Sequence, residues 1–574
     1  MGLLLVLLPM LSAGLVWSLP PKRAFVLPML SLLAGFFLIF WAEKQAHWVW
    51  FSVAGIECSL SLSIDRIAQK MLFLVQFVGF WVILFSAVYM EKEVHKKRYF
   101  SLLSLFLAAM NGLLIFKNLL IVYFFWEWVG LCSFLLIGFW YEEASTNQAS
   151  FKAFMLNKIG DSLMLAGIFL AQVETGSWDY PEPDATSMLW AWLILAGTVS
   201  KSAQLPLSIW LPDAMKGPTP VSALIHAATM VAAGIYLAIR ISPWVQASQV
   251  LAYWGLATAL LGALSAAFQT DIKKLLAYST ISQLGLMLFA VGMGENEAAL
   301  GHLLSHGFFK AGLFLSAGFF IYHLHHKSQS IEEVVSISAF FPIERLAFVL
   351  CFAALAGVPL TAGFFSKEAL LEISLRQPIM LVLFVCISFL TAFYAFRVVL
   401  MLLKTNSNAK DNPNKTMSLV LVVLAIFSLG FWNFEPEIHF ISLSISLLTL
   451  FSGGFVAWSL KEKKLEYQWI ADFFYLNDFY RFSSRRVLYS SGAIWIWDRK
   501  YLDGMVNGLA KMVFVLAHST KFFDKVVVDG LVGVLVGLVK TLGSGLRSFE
   551  GQKLQTYIVT TGLLLVFIIL LLSI

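Results

Sequence analysis

Charge is scarce in this chain. Asp, Glu, Lys and Arg make up 13% of its 574 residues, against about 25% in a soluble domain, so a freely soluble globular protein is excluded. Cysteine is also rare. Cys58, Cys132, Cys351 and Cys386 lie far apart, and without a CxxC pair or a Cys/His ligand spacing there is no iron–sulfur, zinc or other metal signature. The sequence holds no GxGxxG after a strand and no GxxxxGK[ST] loop. It therefore offers no recognisable seat for NADH or for ATP hydrolysis, and whatever drives it is supplied by another chain. The net charge of +6 is spread over loops, without the basic patch of a nucleic-acid binder.

Apolar residues take up what charge leaves. They form 59% of the sequence, and the mean hydropathy is +0.80. Apolar stretches near 20 residues recur from end to end, which makes this an all-α polytopic membrane protein of about 16 transmembrane helices. The spans are expected near 2–19, 24–41, 71–90, 99–116, 119–140, 153–173, 187–216, 220–240, 251–268, 273–292, 299–322, 346–374, 377–402, 417–434, 437–460 and 557–574. Gly2–Leu19 lacks a basic n-region and is taken as a first span, not a cleaved signal peptide. The alternating stretch His47–Ile64 is expected to form a β-hairpin outside the bilayer.

Loop charge sets the orientation. Lys22 and Arg23, the run Glu91–Arg98, Lys273 and Lys274, the 404–415 loop and Lys461–Lys464 fall on one side. The acidic loop Glu174–Asp184, Glu295 and Glu297, and Glu435 and Glu437 fall on the other. Basic loops mark the cytoplasmic face, so both termini are expected outside.

Two spans are broken by proline with a lysine beside the break: Lys201-Ser-Ala-Gln-Leu-Pro206 and Val358-Pro359-Leu-Thr-Ala-Gly-Phe-Phe-Ser-Lys367. An interrupted helix survives in a membrane only where it faces protein or water, and a buried ammonium needs a partner and usually a function. Lysine precedes proline in one and follows it in the other, the order an inverted repeat produces. From Leu465 to Gln555 the chain becomes amphipathic and carries a near-duplication, Trp497-Asp-Arg-Lys-Tyr-Leu-Asp-Gly-Met-Val-Asn-Gly508 and Phe523-Asp-Lys-Val-Val-Val-Asp-Gly-Leu-Val-Gly-Val534. This is either an interfacial helix on its own domain or a helix running along neighbouring subunits.

Ionisable residues at membrane depth are the candidate site. Glu127 needs a cation, and Lys201 is its candidate partner, in a switchable or a static pair. Lys201 and Lys367 are lysines, and a buried lysine can release its proton where an arginine cannot; the plainer role is capping carbonyls freed by each break. His302, His306 and Lys310, spaced i, i+4, i+8, form one stripe about 6 Å apart along a helix. Such a stripe suits a water-linked proton relay, although a lone histidine is more often a satisfied core residue. His226 can join Lys201 to it. Asp161, three residues after Lys158, has either a local ion pair or a coupling role. Lys274 is the better relay candidate of the pair Lys273/Lys274, with interfacial snorkelling by one of them as the default. Arg397 is expected to be a structural anchor.

The motifs Phe125-Trp-Glu-Trp-Val-Gly-Leu-Cys-Ser-Phe-Leu-Leu-Ile-Gly-Phe-Trp140, Trp210-Leu-Pro-Asp-Ala-Met-Lys-Gly-Pro-Thr-Pro-Val-Ser-Ala-Leu-Ile-His-Ala-Ala-Thr-Met230 and Ala362-Gly-Phe-Phe-Ser-Lys-Glu368 resemble the antiporter-like membrane subunits of respiratory complex I, the distal one in particular. The resemblance implies two inverted five-helix repeats, 99–240 and 251–402, with broken seventh and twelfth helices. Before them lie N-terminal helices and the hairpin in 1–98; after them come two further helices in 417–460, a lateral amphipathic helix in 465–556 and a final span at 557–574. It implies proton translocation through Glu127, Asp161, Lys201, His226, His302, His306, Lys310 and Lys367, to which the reading of the residues adds Lys274. It further implies a bacterial cytoplasmic (inner) membrane location and no cofactor in this chain, with FMN, iron–sulfur clusters and quinone in partner subunits. The partners it implies are the other membrane-arm subunits, including adjacent antiporter-like subunits along the lateral helix, besides the lipid bilayer and protons; nucleic acid is not among them. Lys158, where the family often has arginine, and Lys216, where it has a small or acidic residue, depart from the pattern.

Three readings compete. The first is a proton-pumping subunit of a complex I-type NADH–quinone oxidoreductase. The second is a subunit of a Na⁺(K⁺)/H⁺ antiporter, a hydrogenase or an inorganic-carbon uptake complex. The third is a scaffold whose ion pairs only stabilise.

Overall fold

The structure is a computed structural model and describes residues 1–41, 45–53, 56–180, 188–326, 328–405, 413–430, 439–460, 467–548 and 554–573. The acidic loop 174–184, the 404–415 loop, Lys461–Lys464, Glu435 and Glu437 lie wholly or partly outside the described residues, and with them part of the loop-charge argument.

Each expected span contains helix among the described residues. The chain opens with α1 (Leu4–Leu15) and α2 (Val26–Trp41), followed by the strands β1 (Gln45–Val53) and β2 (Ile56–Ser63). Next come α3 (Arg66–Tyr89), α4 (Lys96–Ile115), α5 (Leu119–Ile137), α6 (Ala144–Thr175), α7 (Leu189–Lys201), α8 (Trp210–Asp213), α9 (Thr219–Ala227) and α10 (Met230–Val245). The second half holds α11 (Gln249–Ala267), α12 (Ile272–Gly292), α13 (Asn296–His323), α14 (Ile331–Ser338), α15 (Pro342–Ala356), α16 (Ala362–Ser374), α17 (Pro378–Lys404), α18 (Lys415–Phe427) and α19 (Phe440–Ser459). Then follow α20 (Gln468–Ala471), α21 (Leu476–Trp497), α22 (Asp503–Phe523), α23 (Asp529–Ser548) and α24 (Leu554–Leu572). Among the described residues, thirteen helical segments are long and apolar enough to cross a membrane. The protein is a multi-pass helical membrane protein.

The expected hairpin is present: β1 and β2 pair antiparallel from Gln45↔Ser63 to Val53↔Ile56, with a bulge between Val49 and Phe51. Its base is tied to the α4–α5 turn, where the Lys117 N–H donates to the Ser61 carbonyl (2.8 Å) and Asn118 Nδ2 to the Ser59 carbonyl (2.7 Å).

Residues 1–477 form one compact unit and 478–574 a second. In the first, α13 runs through the middle, packed on α3, α9, α12, α15, α16 and α18. The segment α9–α10 and helix α12 are buried over most of their length, α13 almost so. These helices can carry polar groups in an apolar sequence because they are packed mainly against protein.

Both expected breaks are present. α7 stops at Lys201, and the chain runs without helix until Trp210, through a cis Leu205–Pro206 bond. α15 stops at Ala356, with Gly357 in the left-handed region (φ +85°), and α16 restarts at Ala362. Thr361 caps that restart by accepting from the Phe364 N–H. The two halves approach so closely that a Cβ on Gly363 would sit 1.8 Å from the Ala354 carbonyl oxygen. A third break is new: the expected span 220–240 is split between α9 and α10 at Ala228–Thr229. The Thr229 hydroxyl donates to the Leu224 carbonyl (2.9 Å) there, which also accepts from the Ala228 N–H (3.2 Å).

Candidate functional site

Lys201 ends α7 with its side chain fully buried. The break frees carbonyls that need donors, and indoles and backbone supply them. Trp210 Nε1 donates to the Ser200 carbonyl (3.0 Å), Trp254 Nε1 to that of Leu205 (2.7 Å) and the Gln204 N–H to that of Val199 (2.8 Å). Lys201 is thus free to reach across to α5 and α6. Its ammonium donates to the Trp126 carbonyl (3.0 Å), lies 4.8 Å from the Trp126 ring centroid and stands 3.5 Å from Asp161 Oδ2. The other oxygen of Asp161 accepts from Trp126 Nε1 at 2.6 Å. Gly130 leaves the room, since a Cβ there would sit 3.1 Å from Lys201 Nζ.

The expected Glu127–Lys201 pair is therefore corrected. Glu127 pairs with Lys158, and the expected local pair Lys158–Asp161 does not form. Successive residues of α5 turn by about 100°, so Trp126 faces Lys201 while Glu127 faces Lys158 on α6. The Glu127–Lys158 pair is partly exposed, with side chains 22% and 34% accessible, whereas Lys201 and Asp161 are 0% and 2%. The enclosed carboxylate is Asp161.

His226 lies near the end of α9 with its ring 4.6 Å from that of Phe314 on α13. α9 and α13 touch one residue further on: a Cβ on Gly307 would approach the Ala227 carbonyl oxygen to 3.0 Å. The stripe His302, His306 and Lys310 lies on α13, every member fully buried. His302 pairs through Nδ1 with Ser366 Oγ (2.9 Å) and through Nε2 with Gln283 Oε1 (3.1 Å). Lys310 donates to the Leu276 carbonyl (3.0 Å) and to Ser279 Oγ (2.5 Å), both on α12. Neither ring nitrogen of His226 or of His306 has a hydrogen-bond partner in the protein. Buried polar atoms of that kind are normally satisfied by protein or by water.

Lys367 donates to the carbonyls of Leu355 (2.6 Å) and Ala356 (3.4 Å), so it caps the half-helix α15. The two lysines thus differ: Lys367 serves its own break, and Lys201 serves a carboxylate. Lys274 is half-buried at the start of α12, with its backbone N–H capped by Asp271. Its neighbour Lys273 is the enclosed one, donating to the Met215 (2.5 Å) and Gly217 (3.0 Å) carbonyls. Burial thus separates the pair, with Lys273 enclosed and Lys274 half-buried at the helix start. Sequence reasoning also missed Glu368, fully buried beside Lys367, whose Oε2 accepts from Ser446 Oγ at 2.6 Å. A carboxylate next to a break lysine was its available signal. Arg397 donates to the Ala267 carbonyl (3.0 Å), as an anchor would.

Residues 117–391 match the family described as NADH:quinone oxidoreductase/Mrp antiporter, transmembrane, and residues 50–100 match the N-terminus of chain 5 of NADH-ubiquinone oxidoreductase (complex I). The chain belongs to this antiporter-like family of membrane subunits. The first match runs from the turn before α5 into α17, so it encloses every site residue from Glu127 to Lys367. NADH-quinone oxidoreductase subunit L of Escherichia coli is 41% identical over 405 residues, 67% of this chain and 66% of that protein. Its counterpart in Pseudomonas aeruginosa is 40% identical over 411 residues, 67% and 66% of the two chains. NAD(P)H-quinone oxidoreductase chain 5 of Synechocystis is 38% identical over 409 residues, 66% and 60%. The chain thus spans just under two thirds of the length of these relatives. Its fold is that of a chain in the Mrp complex of Dietzia, with a TM-score of 0.70 at 24% identity over 93% of this chain and 63% of that one. It is likewise similar to a chain of an archaeal membrane-bound sulfane sulfur reductase, with a TM-score of 0.65 at 22% identity over 82% and 99%.

Proposed function

We propose that this antiporter-like chain is a proton-translocating membrane subunit of a complex I-type NADH–quinone oxidoreductase in a bacterial cytoplasmic membrane. One observation carries the reading. Across two broken helices runs a set of buried basic groups, Lys201, His226, His306, Lys310, His302 and Lys367, of which two imidazoles have no protein partner on either nitrogen. Water between His226, His306 and Lys310 completes a wire along which a proton hops. The hop begins when the Lys201–Asp161 contact opens, because the ammonium then loses its counter-charge in a desolvated site and gives up its proton. Neutral imidazole takes a proton on one nitrogen and releases it from the other, so a buried histidine can pass protons on without moving.

Redox chemistry, with FMN, iron–sulfur clusters and quinone, belongs in partner subunits, and the lateral segment braces adjacent antiporter-like subunits. A second reading, exchange of Na⁺ or K⁺ for protons, is favoured by the family description, which names the Mrp antiporter beside the quinone oxidoreductases. Purification of the native complex separates the two. Flavin and iron–sulfur subunits should co-purify, and NADH oxidation in proteoliposomes should acidify one side without sodium. Redox subunits absent from the complex, or transport that needs Na⁺ or K⁺, would favour exchange.

A further inference from the structure

The break in α7 has an exposed face as well as a buried one. Lys201 is enclosed on one side of it, but Pro206 is exposed and Leu207 half-buried. Irregular backbone meets hydrocarbon only where its polar groups are paired within the protein. Side chains of α11 do that for Leu205. Its N–H donates to Thr258 Oγ1 (3.3 Å), and its carbonyl accepts from Trp254 Nε1 (2.7 Å). The next residue, Pro206, brings no N–H at all. This face of the break is fitted to lie against an apolar neighbour.

A groove of about 270 Å³ lies against that face, between α6, α7, α11 and α12, with Pro206 and Leu207 in its wall. No charged side chain lines it, and Thr198 supplies its only hydroxyl. Its lips are open and apolar: Ile159 and Leu163 on α6 are 51% and 44% accessible. The α7 wall, from Trp192 to Val199, is about 10 Å long. The opposite wall is held in place, because the Trp254 indole is fixed by its bond to Leu205.

Size selects the occupant. One turn of an α-helix, about 10 Å across and 5.4 Å high, fills roughly 400 Å³, so a neighbouring helix does not enter. Apolar cavities stay dry, and one of about 150 Å³ takes a benzene. The groove therefore has room for roughly ten carbon atoms and no call for water. Left empty, it would forfeit the contacts of its lining atoms. One hydrocarbon chain, running along α7 as lipid tails run along a membrane span, satisfies all of these conditions.

We propose that this groove seats one acyl chain of a membrane phospholipid, its methyl end packed on Pro206 and Leu207. The chain lies in the half of the membrane that α7 crosses before its break. It covers the lipid side of the break close to the Lys201–Asp161 pair, since Gly160 in the groove wall directly precedes Asp161. The proposal does not depend on which ion the subunit moves.

The test uses the intact complex in vesicles of phosphatidylcholine with a diazirine on one acyl chain, either at the methyl end or beside the ester. Adducts are mapped by peptide mass spectrometry. The methyl-end probe should label Pro206 and Leu207, and the ester-side probe should not. Ala196→Phe fills the groove from the α7 wall, and Leu163→Trp closes it at the exposed lip. Either should abolish the Pro206 and Leu207 adducts while those on Ile379 and Val382, exposed on α17, persist. If neither variant assembles, the two probes on the parent complex still give the answer. Failure of the methyl-end probe to label Pro206 or Leu207, with Val382 labelled, would overturn the seat. Equal labelling by both probes, or adducts that survive in an assembled variant, would mean loose bilayer contact and overturn it too. A photo-cross-linking residue at Leu207 that captures another subunit instead of lipid would assign the groove to a protein side chain, equally against the proposal.

Discussion

The Lys201 ammonium stands 3.5 Å from Asp161 Oδ2 with both side chains enclosed. Removing one partner of a buried pair leaves an uncompensated charge and costs about 3–5 kcal/mol. Asp161→Asn keeps an oxygen that can accept from Trp126 Nε1 and removes only the charge. The expected result is a subunit that still assembles, is measurably less stable, and no longer supports proton uptake. Lys201→Arg keeps the charge but cannot deprotonate, so it should also stop transport with little loss of stability. An arginine variant that pumps like the parent would make the pair structural.

Glu127 and Lys201 should be energetically independent. A double-mutant cycle on thermal unfolding of the complex is expected to give a coupling of about 0.5–3 kcal/mol for Glu127 with Lys158, the range for residues in contact. For Glu127 with Lys201 the expected coupling is close to zero. The reverse order would restore the pairing that the sequence alone suggests.

That correction shows where sequence reading stops. The breaks at Pro206 and Pro359 were legible because proline and a nearby lysine are local signals, and the i, i+4, i+8 stripe on α13 because helical spacing is local too. Which of Trp126 and Glu127 faces Lys201 depends on how α5 is rotated against α6 and α7, and that is set by packing. The break at Ala228–Thr229 carries neither glycine nor proline, so no punctuation marks it. Which of Lys273 and Lys274 is enclosed depends on how the start of α12 packs against the Met215 and Gly217 carbonyls, and adjacent lysines carry no local sign of that.

Two glycines give a graded test of the breaks. Gly363→Ala would put a methyl 1.8 Å from the Ala354 carbonyl oxygen, a rigid backbone atom, and should prevent assembly. Gly130→Ala brings a methyl to 3.1 Å from the end of the flexible Lys201 side chain. It should cost about 1–3 kcal/mol and slow transport by displacing the ammonium from Asp161. Expression, assembly and transport of the two variants check the order; a Gly363→Ala protein that behaves normally would show that the second break is not rigid.

Asp65 caps α3 and pairs with Arg240, whose Nη2 donates to Oδ1 at 2.6 Å. Burial alone would raise the Asp65 carboxyl, but the Arg240 guanidinium prevails and holds it below its ordinary value. A lowered folded-state pKa means stability that is present above the unfolded value, about 3.9, and is lost as pH falls through the folded value. Asn also caps helices well, so Asp65→Asn isolates the charge. The variant should be less stable at pH 7, by about 1 kcal/mol or less for a pair this exposed, and the difference should close as the pH falls below about 4. A difference that does not change with pH would remove the ion pair from the account.

The central claim is that protons cross through the buried stripe of α13. The direct measurement is the proton-to-electron ratio of the intact complex in proteoliposomes, with His306→Leu and Lys310→Met combined. Both groups are enclosed, and these replacements keep shape better than alanine does. The account predicts a complex that assembles, oxidises NADH and moves fewer protons per electron than the parent. An unchanged ratio in the assembled double variant would contradict it.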